Sequence, residues 1–261
     1  YVVEDYKKKY FMHLMHEVVQ NVSYEERENI LIFKVETING TTNSAWHYKS
    51  TYEYTVLGSG DILINVSGTP SGRVDTAPEM LPRIGLKLKV NKDLDNVKYK
   101  GRGPGESYAD SKECNLFGVY ENTVDGLFTN YVTPQENGNR SDCSWVRLSN
   151  DRGMSLMAVA NEKLDFSASY YEDTDLEYAK HTIDLQKRDY IVFNIDYKQN
   201  GVGTNSCGQW QLDKYRCKFE EFNLGFKLSI YNNKEISDLA VAREELVLDC
   251  VTYKDKNLVL A

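Results

Sequence analysis

The chain has 261 residues, a formal net charge of −8, 41% hydrophobic residues, and 19 Tyr with 9 Phe, enough apolar and aromatic material for one continuous core. No run of about 18 apolar residues is present to cross a bilayer. Acidic and basic residues are mixed along the chain, which argues against a surface built for phosphate backbones, so neither nucleic acid nor membrane is an expected partner.

The first segment, Tyr6 to Val19, has Phe11, Leu14, Met15 and Val18 at helical spacing and is expected to be a helix. His13 and His16 lie on it three residues apart, but two imidazoles without a third ligand do not make a metal site. From Ile30 to Val66 the pattern alternates in β fashion: ILIFKVETI, then the turn NGTTN at Asn39 to Asn43, HYKSTYEYTVLG, the turn GSGD at Gly58 to Asp61, and ILINVSG. This predicts a three-stranded meander, because Asn-Gly and Gly-Ser-Gly tolerate the positive φ of tight hairpins. Further strands are expected over Ile84 to Val90, Val97 to Tyr99, Trp145 to Ser149, Ser155 to Val159, Phe166 to Tyr171, Tyr190 to Tyr197 and Phe222 to Ile230. A short turn of helix is expected over Asp175 to Lys180. Many short strands divided by Gly, Asn and Asp clusters read as an all-β antiparallel sandwich. After Asn233 the run KEISDLAVAREELVLD has helical spacing, which places a boundary near Asn232 and divides the chain into 1–232 and an extension, 233–261.

Five cysteines, Cys114, Cys143, Cys207, Cys217 and Cys250, contain no CxxC pair, so reduced thiols of a cytoplasmic protein are expected and no metal site. Asn-x-Ser/Thr triplets at Asn21, Asn39, Asn65 and Asn139 arise easily by chance and, without a signal peptide, are not read as glycosylation sites.

Cleavage of a glycosidic bond needs two carboxylates facing each other across it. The acidic candidates are Glu106 in GRGPGESY, Glu136 in PQENGNR and Asp196 in NIDY. Each lies beside Gly, Pro or Asn, where a carboxylate commonly accepts backbone N–H groups and holds a loop, and that structural role is expected of all three. GRGPGES at Gly101 to Ser107 lacks the GK[ST] ending of a phosphate-binding loop and no helix is expected after it. GVGTNSCG, Gly201 to Gly208, directly follows a strand, which puts Asn205, Ser206 and Cys207 at a sheet end where polar side chains reach a ligand. Ser206, His181 and Asp184 make a Ser-His-Asp set only on paper, since no nucleophile elbow is present.

Taken together, LPRIGLKLKV at Leu81 to Val90, GRGPGESYADS at Gly101 to Ser111, NYVTPQENGNRSD at Asn130 to Asp142, His181 to Leu185, and NIDYKQNGVGTNSCG at Asn194 to Gly208 resemble the C-terminal domain of family 2 β-galactosidases. In heterodimeric members this domain is a separate small chain. The motifs stand in family order over most of Phe11 to Leu228. The resemblance implies an antiparallel supersandwich of the galactose mutarotase-like kind. It implies that the catalytic acid and nucleophile, with the Mg and Na ions the family typically uses, belong to a barrel domain outside this chain. No catalytic residue, metal ligand or cofactor is then expected here. The implied partners are that catalytic domain or large subunit and a β-galactoside substrate such as lactose. Asn205, Ser206 and Cys207 would complete the substrate pocket. Cys207 stands where many members carry Trp, so a sugar-stacking platform is lost or replaced; Trp210 lies three residues on.

The chain opens at Tyr1 and shows no Arg-Ala-Pro-x-Asp-Asn-Asp-like segment before Tyr6, so the module is expected to be incomplete at its N-terminus, with an uncovered sheet edge. Two other functions fit a sandwich of this kind. An aldose 1-epimerase would need a His acid and a carboxylate base around His181, and a free-standing carbohydrate-binding module would need an exposed aromatic platform.

Overall fold

The computed structural model describes residues 2–202, 211–244, 247–248, 251–254 and 257–260. Helix α1, Val2–Lys8, and a 3-10 turn at Met12–Leu14 precede strand β1, His16–Arg27. The helix expected over Tyr6 to Val19 therefore stops early. α1 ends at Lys8, and Phe11, with a left-handed φ of 53°, keeps it from continuing into the residues beyond. Beyond it Val18, Val19 and Val22 belong to a strand that pairs with β2, Ile30–Gly40, with one register shift at Gln20. Long-range pairing of a β-branched run outweighs its helical spacing.

The expected meander is present. β2 pairs with β3, Trp46–Leu57, and β3 with β4, Ile62–Gly72. Gly60 at the tip of the β3–β4 hairpin has φ 92°, a conformation open to glycine at no steric cost. The chain continues through β5, Arg83–Asn91; β6, Asn96–Gly103; β7, Leu116–Thr123; α2, Val124–Leu127; β8, Arg140–Ser149; β9, Met154–Ser169; α3, Asp173–Tyr178; β10, Tyr190–Gln199; β11, Phe222–Asn232; and α4, Asp238–Arg243. Three short segments, Val247–Leu248, Val251–Lys254 and Asn257–Leu260, form a small antiparallel ladder of their own.

The main sheet runs β1-β2-β3-β4-β11-β9-β8-β6-β7, with β10 joined to β9 and β5 as a branch. Every pairing is antiparallel. The branch point is β9. Its first half, through Ala160, pairs with β11, and its second half, from Asp165 to Ser169, pairs with β10. The two expected strands Ser155 to Val159 and Phe166 to Tyr171 are thus one continuous strand.

The core lies between these layers. Val146 and Leu148 of β8, Phe166 of β9, Ile191, Phe193 and Ile195 of β10 and Phe226 of β11 are all at or below 1% exposure. β10 is buried on both faces from Ile191 to Asp196, as a strand covered on both faces is. The architecture is an all-β antiparallel sandwich. β1, by contrast, is exposed along nearly its whole length at the edge of the sheet, with Val22 and Tyr24 open to solvent.

Helix α4 docks on this sheet. Ser237 caps it by accepting from the Ala240 N–H, and the Arg147 guanidinium donates to both oxygens of Asp238 at 2.8 Å. Val241 packs with Trp145 and Met157. The buried Lys227 ammonium donates to the Val241 carbonyl at 3.0 Å and pairs with Glu244 at 2.9 Å. No helix among the described residues is long and apolar enough to cross a membrane.

Candidate functional site

Four of the sequence motifs converge at one end of the sandwich: the start of β5, the loop after β6, the loop before β8, and the end of β10. Arg83 opens β5 and is paired with Gln199 at the end of β10. Its Nη2 donates to Asp196 Oδ2 at 3.0 Å and to Gln199 Oε1 at 2.8 Å. The same guanidinium faces Glu136 at 4.0 Å and Asp173 at 3.9 Å. Gly85 sits opposite Asp196 in the β5–β10 ladder, and a Cβ there would collide with the Asp196 carboxylate, so the missing side chain makes room for the acid.

The two polar loops are bound to each other. The Ser107 N–H donates to the Asn139 carbonyl at 2.8 Å, and the Asn139 carboxamide donates back to the Ser107 carbonyl at 2.8 Å. The Ser141 N–H and hydroxyl donate to Ser107 Oγ and the Ser107 carbonyl, both at 2.8 Å. Ser107, Asn139, Arg140 and Ser141 are at or below 2% exposure, so this is interior structure in which polar groups need partners; Asn139 Oδ1 is buried without one. Asn139, one of the Asn-x-Ser positions, is thereby committed to loop packing. Glu106 accepts the Gly138 N–H at 2.9 Å and the Tyr131 hydroxyl. The Tyr108 hydroxyl donates to Glu136 Oε1 at 3.3 Å. Asp142, with φ 57°, accepts from Lys112 at 2.9 Å and Arg102 at 3.2 Å.

Of the three acids singled out from separate stretches of sequence, Glu136 and Asp196 therefore meet at Arg83, while Glu106 holds the neighbouring loop through Gly138 and Tyr131. Each is occupied in shaping loops or anchoring Arg83, the role expected of them. The sequence reading missed Arg83, although it lies inside LPRIGLKLKV, and missed Asp165 and Asn139. Asp165 lies directly across the β9–β10 ladder from Asp196. It accepts the Asp142 N–H at 3.1 Å and the Asn139 carboxamide at 3.4 Å.

Packing this many ionisable groups away from water perturbs them. Burial pushes the Asp196 carboxyl up to about 7, opposed by Arg83 and reinforced by Asp165 and Glu136. Burial likewise lifts Asp165 to about 6, against the stabilising hydrogen bonds from the Asp142 N–H and Asn139. Glu136 is raised by burial and held back chiefly by Arg83. For Arg83, burial works against the charge, but Asp196, Glu136 and Asp173 outweigh it and its pKa rises. Tyr108 is driven well above its ordinary value by burial, with Glu136 and Glu106 adding to the effect.

Asn205, Ser206 and Cys207, the expected substrate-facing residues, lie outside the described residues, as does Trp210. The flanks of that segment are described and firmly held. Asn200 and Gln211 bond to each other across its base, and the Cys217 N–H donates to Asn200 Oδ1 at 3.1 Å. Gly201 packs so closely on Asp110 that a Cβ would strike the carboxylate. Asp110 belongs to the GRGPGESYADS motif, so the base of 201–211 rests on the same loop cluster. His181 is exposed on its 3-10 turn, with Nδ1 3.7 Å from Asp184 Oδ2. Among the described residues no three His, Cys, Asp or Glu side chains converge as metal ligands. Cys114, Cys143 and Cys217 carry free thiols.

The family model described as beta galactosidase small chain matches residues 3–228. The β-galactosidase of Actinobacillus pleuropneumoniae is 31% identical over 79% of this chain and 20% of its own length. That of Kluyveromyces lactis is 30% identical over 85% of this chain and 21% of its own length. The chain spans about a fifth of the length of these curated relatives. A solved structure from Escherichia coli, proposed as an aldose 1-epimerase, aligns with a TM-score of 0.39 and 9% identity, over 82% of this chain and 69% of that one.

Proposed function

This chain belongs to the β-galactosidase small-chain family, and from that premise we propose that it is a non-catalytic module that buttresses a catalytic barrel and completes its galactoside pocket. The barrel would carry out retaining hydrolysis of terminal β-D-galactosides such as lactose, with its own two glutamates as acid and nucleophile. This chain would contribute the segment containing Asn205, Ser206 and Cys207 to the rim of the pocket.

The observation that supports the reading is the partly buried network joining Arg83, Glu136, Asp196 and Gln199, together with the clasp of Asn200 to Gln211. It gives the 203–210 segment a rigid base, the support a pocket wall needs when the reacting groups belong to another domain. A small Cys207 would line the pocket by van der Waals contact, without the flat stacking face of a Trp.

The test is complementation. The chain alone is expected to leave o-nitrophenyl β-galactoside intact, and co-expression with the catalytic part of a β-galactosidase lacking this module is expected to restore turnover. In the restored enzyme Cys207→Trp is expected to change KM for lactose. Steady hydrolysis by the purified chain alone would overturn the proposed division of labour.

A further inference from the structure

Beside the loop network lies a cavity of about 970 Å³, walled by the second half of β9, the end of β10, the 213–215 turn and the start of β11. That volume is at the upper end of small-molecule sites. Four lysines and four carboxylates, Asp142 and Asp165 among them, border it, so its formal charge is nil. A neutral polar basin does not select a polyanion, and its charged rim does not suit a lipid.

The basin also has a fixed aromatic wall. Tyr197 and Phe222 lie with ring centroids 5.8 Å apart and planes tilted by 38°, and Tyr197 is 38% exposed. Phe222 cannot swing away, because its ring occupies the space left by the absent side chain of Gly68 and meets Tyr48 edge-on at 5.3 Å. Tyr215, under the Lys214 ammonium at 4.6 Å, stands on another side.

We propose that this basin binds a neutral oligosaccharide, with Tyr197 and Phe222 as the stacking wall and Asp165, Asn161 and Lys163 as partners for sugar hydroxyls. A pyranose ring presents C–H groups on one face and hydroxyls around its rim. The C–H face packs on an aromatic ring, and the rim hydroxyls both donate to carboxylates and amides and accept from ammonium groups. The size of the basin favours two or more rings over one. The site belongs to the module itself, so it stands or falls separately from the pocket assigned to Asn205, Ser206 and Cys207.

The test uses the ¹⁵N-labelled chain without any catalytic partner, titrated with lactose, with β-1,4-linked galactotetraose, and with inorganic phosphate as a charge control. Both sugars are expected to give saturable shifts centred on the amides of Tyr197, Phe222, Asn223 and Gly225, the tetraose binding more tightly. Tyr197→Ala is expected to weaken binding by about fivefold or more, the scale of one lost aromatic contact. If that variant loses its dispersed spectrum, Tyr215→Ala is read instead, with a loss of about threefold expected. Absence of saturable shifts with either sugar, unchanged affinity in a folded variant, or identical shifts with phosphate would each overturn the site.

Discussion

Replacing Arg83 by Met removes the one guanidinium that Asp196, Gln199, Glu136 and Asp173 share, while keeping a stem of similar length. Asp196 is 1% exposed and has Asp165 directly opposite, so its anion has nowhere to turn. It escapes the loss by taking up a proton, and the cost of doing so is set by pH. With its pKa in the intact chain raised to about 7, protonation costs on the order of 1 kcal/mol at pH 8 and essentially nothing at pH 5. On top of this comes the loss of hydrogen bonds from a charged donor, on the order of 2 kcal/mol at either pH. The variant should therefore lose about 2 kcal/mol at pH 5 and about 3–4 kcal/mol at pH 8, the latter in the range for an orphaned buried ion. Urea unfolding followed by tryptophan fluorescence at the two pH values reads this directly as a larger shift in midpoint at pH 8. Equal destabilisation at both would mean that Asp196 is not the group Arg83 compensates.

Two further expectations follow from the same cluster. Asp165 has its pKa raised in the folded chain to about 6 from an unfolded value near 3.9, so the folded state binds the extra proton and its contribution to stability falls as pH rises from about 4 to about 6. Asp165→Asn, which cannot ionise, should remove that decline; the difference between wild-type and variant stability curves should change by on the order of 3 kcal/mol across this window, and a flat difference curve would refute the assignment. Gly201→Ala would drive a methyl into the Asp110 carboxylate and should cost about 1–3 kcal/mol. In the complemented enzyme it should also raise KM for lactose, whereas an unchanged melting curve would show that the base of the segment is free to shift.

Much of the sandwich can be read in the sequence where alternation and turn chemistry agree. β2 to β4 follow from their β-type apolar pattern and from Gly58-Ser59-Gly60, whereas Asn39 and Gly40, read as a turn, pair with Tyr48 and His47 inside the ladder and the connection falls after them; β10 and β11 follow from β-branched and aromatic runs. β1 is hidden because Phe11, Leu14, Met15 and Val18 happen to share a helical face, and its true partner, β2, asserts itself only through pairing. β7 is missed because Gly118 interrupts its short apolar run; in the fold Leu116, Phe117 and Val119 are all exposed. β9 looks like two strands because Asn161-Glu162-Lys163 interrupts the apolar pattern, where the ladder with β8 shifts register.

In the site, loop chemistry marks Glu106, Glu136 and Asp196 individually. The meeting of Glu136 and Asp196 at Arg83 does not show in the sequence, since Arg83 lies 113 residues from Asp196 and only the β5–β10 register brings the two together. Asp165 is concealed for the same reason. Inside LDFSAS it is one acid among many until β10 sets Asp196 across from it.

A single strand, β9, serves two ladders, its early residues stitched to β11 and its later ones to β10. Neither layer can peel away along β9 without pulling on the backbone of the other, which couples their opening. Whatever wall the loops around Arg83 present to a partner is then as durable as the whole module, because it hangs from the beam that both layers share.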